Sequence, residues 1–205
     1  MLLAACGDRS SRDVAAPAAA QQLFGQVCER NSAQLFPDTA LEARIRWYGA
    51  HFRALGEGRL CHLAPAKTEV YRFVWLRSFH RPVAVRVTHD SGGTSLRAKE
   101  TDGKGGYEPG RVVTDTTVVL TPAQWQELQA LVARTGLWEA TPPAVAASVG
   151  LDGAQWVIEG VRDGRYRAID AWSPEPVGPQ APVHTLGVHL LRLAGLLRSR
   201  SGELY

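Results

Sequence analysis

Two carboxylates stand where a hairpin would bring them together. In "AQWVIEGVRDGRYRAIDAW", Asp163-Gly164 is the signature of a two-residue type I′ turn. The register it sets puts Glu159 and Asp170 on one face as diagonal neighbours, roughly 5–7 Å apart. Carboxylates so placed can divide acid and base roles or hold a cation. They are equally what a solvated sheet face paired with arginines contains, and nothing nearby specifies the third residue that a site needs. The sequence favours the solvated face; Glu159 and Asp170 are the catalytic candidates of the alternative. The six histidines, His51, His62, His80, His89, His184 and His189, form no HExxH and no zinc-type spacing with cysteine, so neither a metal nor a cofactor is expected. Ser91 and Ser173 lie outside any GxSxG elbow and read as turn serines. "DGKGGYEPG" lacks the GxxxxGK[ST] pattern and reads as a mobile hairpin loop.

Cysteine chemistry centres on the N-terminus. The chain has three cysteines, Cys6, Cys28 and Cys61. An odd count in an exported protein asks for one with a separate task. "LAAC" followed by Gly7 resembles the lipobox of bacterial lipoproteins, an apolar residue and two small ones before a cysteine. The resemblance implies that Cys6 is acylated and becomes the first residue of the mature protein. The polar, Ala/Pro-rich stretch "GDRSSRDVAAPAAAQQ" suits a tether that holds a domain off a membrane. Five residues precede Cys6, fewer than the basic n-region and about 7–15 apolar residues of a secretory signal, so an upstream start is expected. Aspartate stands at position 8 and not directly after the cysteine, which by the family's sorting pattern implies the outer membrane. With Cys6 lipidated, Cys28 and Cys61 are left to pair. Such a bridge would contribute about 3–4 kcal/mol in an oxidising compartment; two buried free thiols are the other reading.

Binding candidates come from the remaining charge and aromatics. The net charge is +3, and the only lysines are Lys67, Lys99 and Lys104. No basic run with interleaved aromatics occurs, so nucleic acid is not an expected partner. Arg86, Arg97 and Lys99 fall on one side of a predicted hairpin, and Trp172 lies on the polar side of another, beside a proline-rich loop, where it could anchor a partner.

The elements that must position these residues follow from periodicity. Thr39-Ala-Leu-Glu42 reads as a capping box ahead of a stripe of Leu41, Ile45, Tyr48, Phe52 and Leu55, with a shorter helix over 21–30 before it. "EVYRFVWLRSF" reads as a strand buried on much of both faces. "RPVAVRVTHD" turns at Ser91-Gly92, so Val87 faces Leu96 and Val85 faces Ala98, giving one apolar and one basic side. "RVVTDTTVVL" supplies a fourth strand. Thr121, Pro122 and Gln124 start a helix whose buried stripe is Trp125, Leu128, Leu131 and Val132, and Gly136 stops it. Leu186, Leu190, Leu193 and Leu197 mark a C-terminal amphipathic helix. The expected class is α+β: an antiparallel sheet built from hairpins with amphipathic helices packed on it. The expected organisation is a truncated lipoprotein signal and flexible tether over residues 1–20 and a single α+β domain over 21–205.

From Val70 through Pro174 the chain resembles a family of small uncharacterised proteobacterial lipoproteins. "WLRSFHRPVAVRV", the capped "LTPAQWQEL" and "GLDGAQWVIEG" followed by "AWSP" carry the likeness. It implies a single domain on the periplasmic face of the envelope, and it brings no activity and no catalytic residue with it. The expected function is that of an envelope-anchored, non-catalytic binding domain of inhibitor or immunity type. It would be held to the membrane through an N-terminal lipid, with an envelope protein as possible partner. The alternative is a periplasmic hydrolase using the carboxylate pair.

Overall fold

Strand β1 (Glu69–Arg77) has large apolar side chains at both parities, so it must be covered on both faces. It lies inside a six-stranded antiparallel sheet of order β4-β3-β2-β1-β5-β6, made of β2 (Val83–Asp90), β3 (Gly93–Thr101), β4 (Val112–Leu120), β5 (Ala154–Arg162) and β6 (Arg165–Trp172). The computed structural model describes residues 40–63, 67–139, 152–197 and 204. The class is α+β, as expected, with three helices among the described residues: α1 (Ala40–Ala54), α2 (Pro122–Arg134) and α3 (Ala181–Leu193).

Both hairpins take the expected register. Val87 pairs with Leu96 and Val85 with Ala98. In the second hairpin Glu159 pairs with Ala168 and Val157 with Asp170. Asp163 and Gly164 have φ of 51° and 70°, the positive pair that a type I′ turn requires. Helix α2 carries the expected capping box: the Thr121 hydroxyl accepts from the Gln124 N–H, and Gln124 Oε1 accepts from the Thr121 N–H.

The face of Tyr71, Phe73 and Trp75 is covered by α2 and α3. Trp156 is its centre, with Phe73 at 5.1 Å and Trp75 at 5.7 Å between ring centroids. Helix α3 approaches so closely at Gly187 that a Cβ there would collide with the Trp156 ring. The opposite face carries a second core, in which Tyr48, Phe52 and Leu55 of the α1 segment meet Val74, Leu76, Ala84, Val157 and Ala168.

That second core corrects the expectation of one polar side per hairpin. The central strands are covered on both faces, and of the residues read as solvated Glu159 and Lys99 are buried at a helix–sheet interface. The signal was Val70, Val74 and Leu76 on β1, which need cover as much as their neighbours do. One helix reading also changes. Leu197 lies beyond α3, which ends at Leu193 with Gly195 following in the left-handed region. Thr39 and the helix read over 21–30 lie outside the described residues, as do the side chains of Leu41, Glu42 and Ile45.

Candidate functional site

Strand register lines up charges that would otherwise repel. Arg72 is directly opposite Arg86 on one side and Glu159 on the other, and Arg86 is opposite Arg97. Three arginines therefore stand abreast on neighbouring strands, with Lys99 one pair further along β3 on the same face. Like charges directly opposite are destabilising unless anions intervene.

Three carboxylates do so. Arg72 Nε and Nη2 both reach Glu159 Oε2, at 2.7 and 2.6 Å, and the Tyr166 hydroxyl donates to Glu159 Oε1 at 2.8 Å. Glu57, just after α1, holds Lys99 Nζ at 3.0 Å, Arg72 Nη1 at 3.5 Å and Arg86 Nη1 at 3.6 Å. The carbonyls of Gly58 and Gly56 accept from Arg72 Nη1 and Lys99 Nζ, at 2.7 and 2.8 Å. At the solvent end Arg97 forks onto both oxygens of Asp115, at 2.7 and 2.6 Å.

The cluster is internal. Glu159 is only 2 % exposed, and Arg72, Lys99 and Glu57 are buried with it. Burial pulls the Arg72 guanidinium down, but Glu159 and then Glu57 outweigh it and hold the group above its ordinary range. Burial, followed by the Glu159 charge, pushes the Tyr166 phenol well above its usual value, so it stays a donor. The Phe52 ring lies 4.6 Å from the Arg72 guanidinium and closes over it.

The sequence candidates fare differently. Glu159 and Asp170 are the diagonal neighbours expected, but they serve separate networks. Asp170 accepts from the Tyr48 hydroxyl at 2.9 Å and from the Gln155 amide. Both acids meet hydrogen-bonding partners, yet Glu159 is not solvated, because α1 and its following turn lie over it. Both Glu159 oxygens are already engaged, Oε2 by Arg72 and Oε1 by Tyr166. The basic side of the first hairpin is real only at its edge: Arg97 is exposed, Arg86 half-buried and Lys99 buried. Trp172 is half-buried, its indole packed over Gly153. Ser173 is a turn serine whose hydroxyl accepts from the Ala154 N–H at 2.9 Å. Among the described residues, no group of three or more His, Cys, Asp or Glu converges as a metal site, and no helix is long and apolar enough to cross a membrane. Cys6 and Cys28 lie outside the described residues, and of Cys61 only the backbone, in the 3-10 turn Leu60–Leu63, is described.

Two features were missed. Glu57, flanked by glycines, faces three cations, and nothing in "GEG" announces that. The second is the glycine-rich loop over 102–110, which is tightly docked where mobility was expected. A Cβ on Gly105 would sit 2.7 Å from the Arg77 carbonyl oxygen, and one on Gly106 2.9 Å from Ser78 Cα. Gly103 and Gly110 pack backbone against backbone. The Gly105 N–H donates to the His80 carbonyl at 3.0 Å, and Asp102 Oδ1 accepts from the Arg111 N–H at 2.8 Å. So held, the loop displays Tyr107, 71 % exposed, beside Phe79, 52 % exposed, with ring centroids 6.1 Å apart. Two adjacent aromatics on a fixed support suit a binding anchor. No protein-family model matches the chain, and no curated protein matches it either.

Proposed function

We propose that the protein is a lipid-anchored component of the bacterial cell envelope, at the periplasmic face and in the outer membrane, and that its folded body binds a protein partner as an inhibitor or immunity protein does. The anchor reading rests on one observation, Cys6 at the end of LAAC with a polar stretch behind it. The binding reading is supported by how the body uses its polar groups. Glu159, the carboxylate a hydrolase would need, is bound from two sides by Arg72 and Tyr166, whereas Tyr107 on the docked glycine-rich loop and Phe79 beside it, in the β1–β2 connection, are turned outward. The Cys28–Cys61 bridge belongs to the same proposal, because it requires the oxidising compartment that export provides.

Labelling cells with a palmitate analogue tests the anchor. The full chain expressed with its native upstream codons should take up label, and Cys6→Ser should abolish it; an unlabelled wild type ends the lipoprotein reading. Crosslinking in cells tests the partner. One stoichiometric envelope protein should be recovered with the wild type and lost with Phe79→Ser/Tyr107→Ser. Recovery unchanged by that double substitution moves the interface elsewhere, and recovery of no partner ends the binding reading.

A further inference from the structure

The two edges of the sheet are built differently. β6 carries Arg165 and Arg167, and the 3-10 turn Leu60–Leu63 packs against it and β5. Charges and cover of this kind are how proteins keep an edge from pairing. β4 has neither. Its sequence, VVTDTTVVL, is almost wholly β-branched, without lysine, proline or glycine. Among the described residues it pairs with β3 alone. Both of its faces are open: Val113 is 51 % and Val119 81 % exposed, one pair on a single face, and Val112 and Val118 are exposed on the other. The one charge, Asp115, is engaged by Arg97 of its own sheet.

We propose that β4 is a homodimer interface, on which a second copy of this chain pairs antiparallel about a two-fold axis through Thr116. In that register Val113 faces Val119 of the second copy, and the reverse, while Val112 faces Leu120 and Asp115 faces Thr117. All nine residues of each strand are paired, and each edge N–H and C=O gains a partner. The neighbouring registers are worse on charge and on backbone. Centring on Asp115 sets the two aspartates directly opposite, which is destabilising. Centring on Thr117 leaves Val112 and Val113 without a partner, because β4 ends at Leu120. The favoured register leaves each Asp115 in the fork of its own Arg97. Once paired, each copy presents only its arginine-bearing β6 edge, so assembly stops at two and does not run on into a fibre.

Sedimentation velocity on the full chain, under reducing conditions so that no intermolecular disulfide contributes, tests this. The wild type should convert from monomer to dimer with concentration, and Val119→Lys or Val113→Glu should each weaken association at least about tenfold. Mixing the two variants should restore dimer, because the introduced lysine of one copy faces the introduced glutamate of the other. Both positions are exposed, so at concentrations where the wild type is monomeric each variant should keep the wild-type urea midpoint. Amide hydrogen exchange on the wild type gives a reading free of substitutions, with β4 slowing as concentration rises. A monomer at every concentration overturns the proposal, as does a dimer indifferent to both substitutions. Failure of the mixed variants to associate overturns the register.

Discussion

Glu57, which no motif singled out for chemistry, is enclosed by the charges of three strands. Its carboxylate is the shared counter-ion of Lys99, Arg72 and Arg86. Removing one member of a buried ion pair leaves an uncompensated charge and typically destabilises by about 3–5 kcal/mol. Glu57→Gln and Glu159→Gln should each fall in that range by urea unfolding. Arg72→Met/Glu159→Leu should recover part of the loss, since a buried pair can be replaced by packed apolar groups. The histidines add a pH dependence. Burial holds His51 below its ordinary value, against a smaller opposing pull from the Trp47 carbonyl, and burial likewise lowers His184 and His189. A depressed folded value means the unfolded chain takes up protons first. Stability should therefore be complete above about pH 6.5 and decline as pH falls below it. Urea midpoints at neutral and mildly acidic pH check this, and His51→Gln should flatten the slope. On the alkaline side Tyr166 is raised, so stability should decline above about pH 10, where the unfolded phenol ionises first.

Among the elements, the helices show which local signals suffice and which do not. The start of α2 is written in four residues, because a capping box depends only on neighbours. Thr121→Ala should cost about 1 kcal/mol. Gly187 in α3 is the opposite case. Intrinsic propensity says that alanine stabilises a helix interior, but the Trp156 ring occupies the space. Gly187→Ala should therefore destabilise, by about 1–3 kcal/mol, and thermal or urea unfolding gives the sign directly. The glycine-rich loop makes the same point. Glycine signals either freedom or close approach, and sequence does not say which. Here Gly105 and Gly106 lie against the backbone of Arg77 and Ser78, and Gly105→Ala should displace Tyr107 and reduce partner recovery without unfolding the sheet.

For the whole molecule, the chain's period-two strands and its two turns determined both hairpin registers, because side-chain alternation and a two-residue loop leave one pairing that buries the apolar face. They also determined the class, and that Glu159 and Asp170 would be diagonal neighbours. They did not determine what covers the second face. β1 joins two hairpins distant in sequence, pairing with β2 and β5, and α1 is laid over the face that local polarity marked as solvated. Only that docking brings Glu57 beneath three cations from β1, β2 and β3, and only it turns Glu159 from an open acid into a bound one. A residue's polarity and spacing are local properties, readable along the chain. Its dielectric surroundings and counter-ions are set by whichever element packs over it, and that is decided by contacts far apart in sequence.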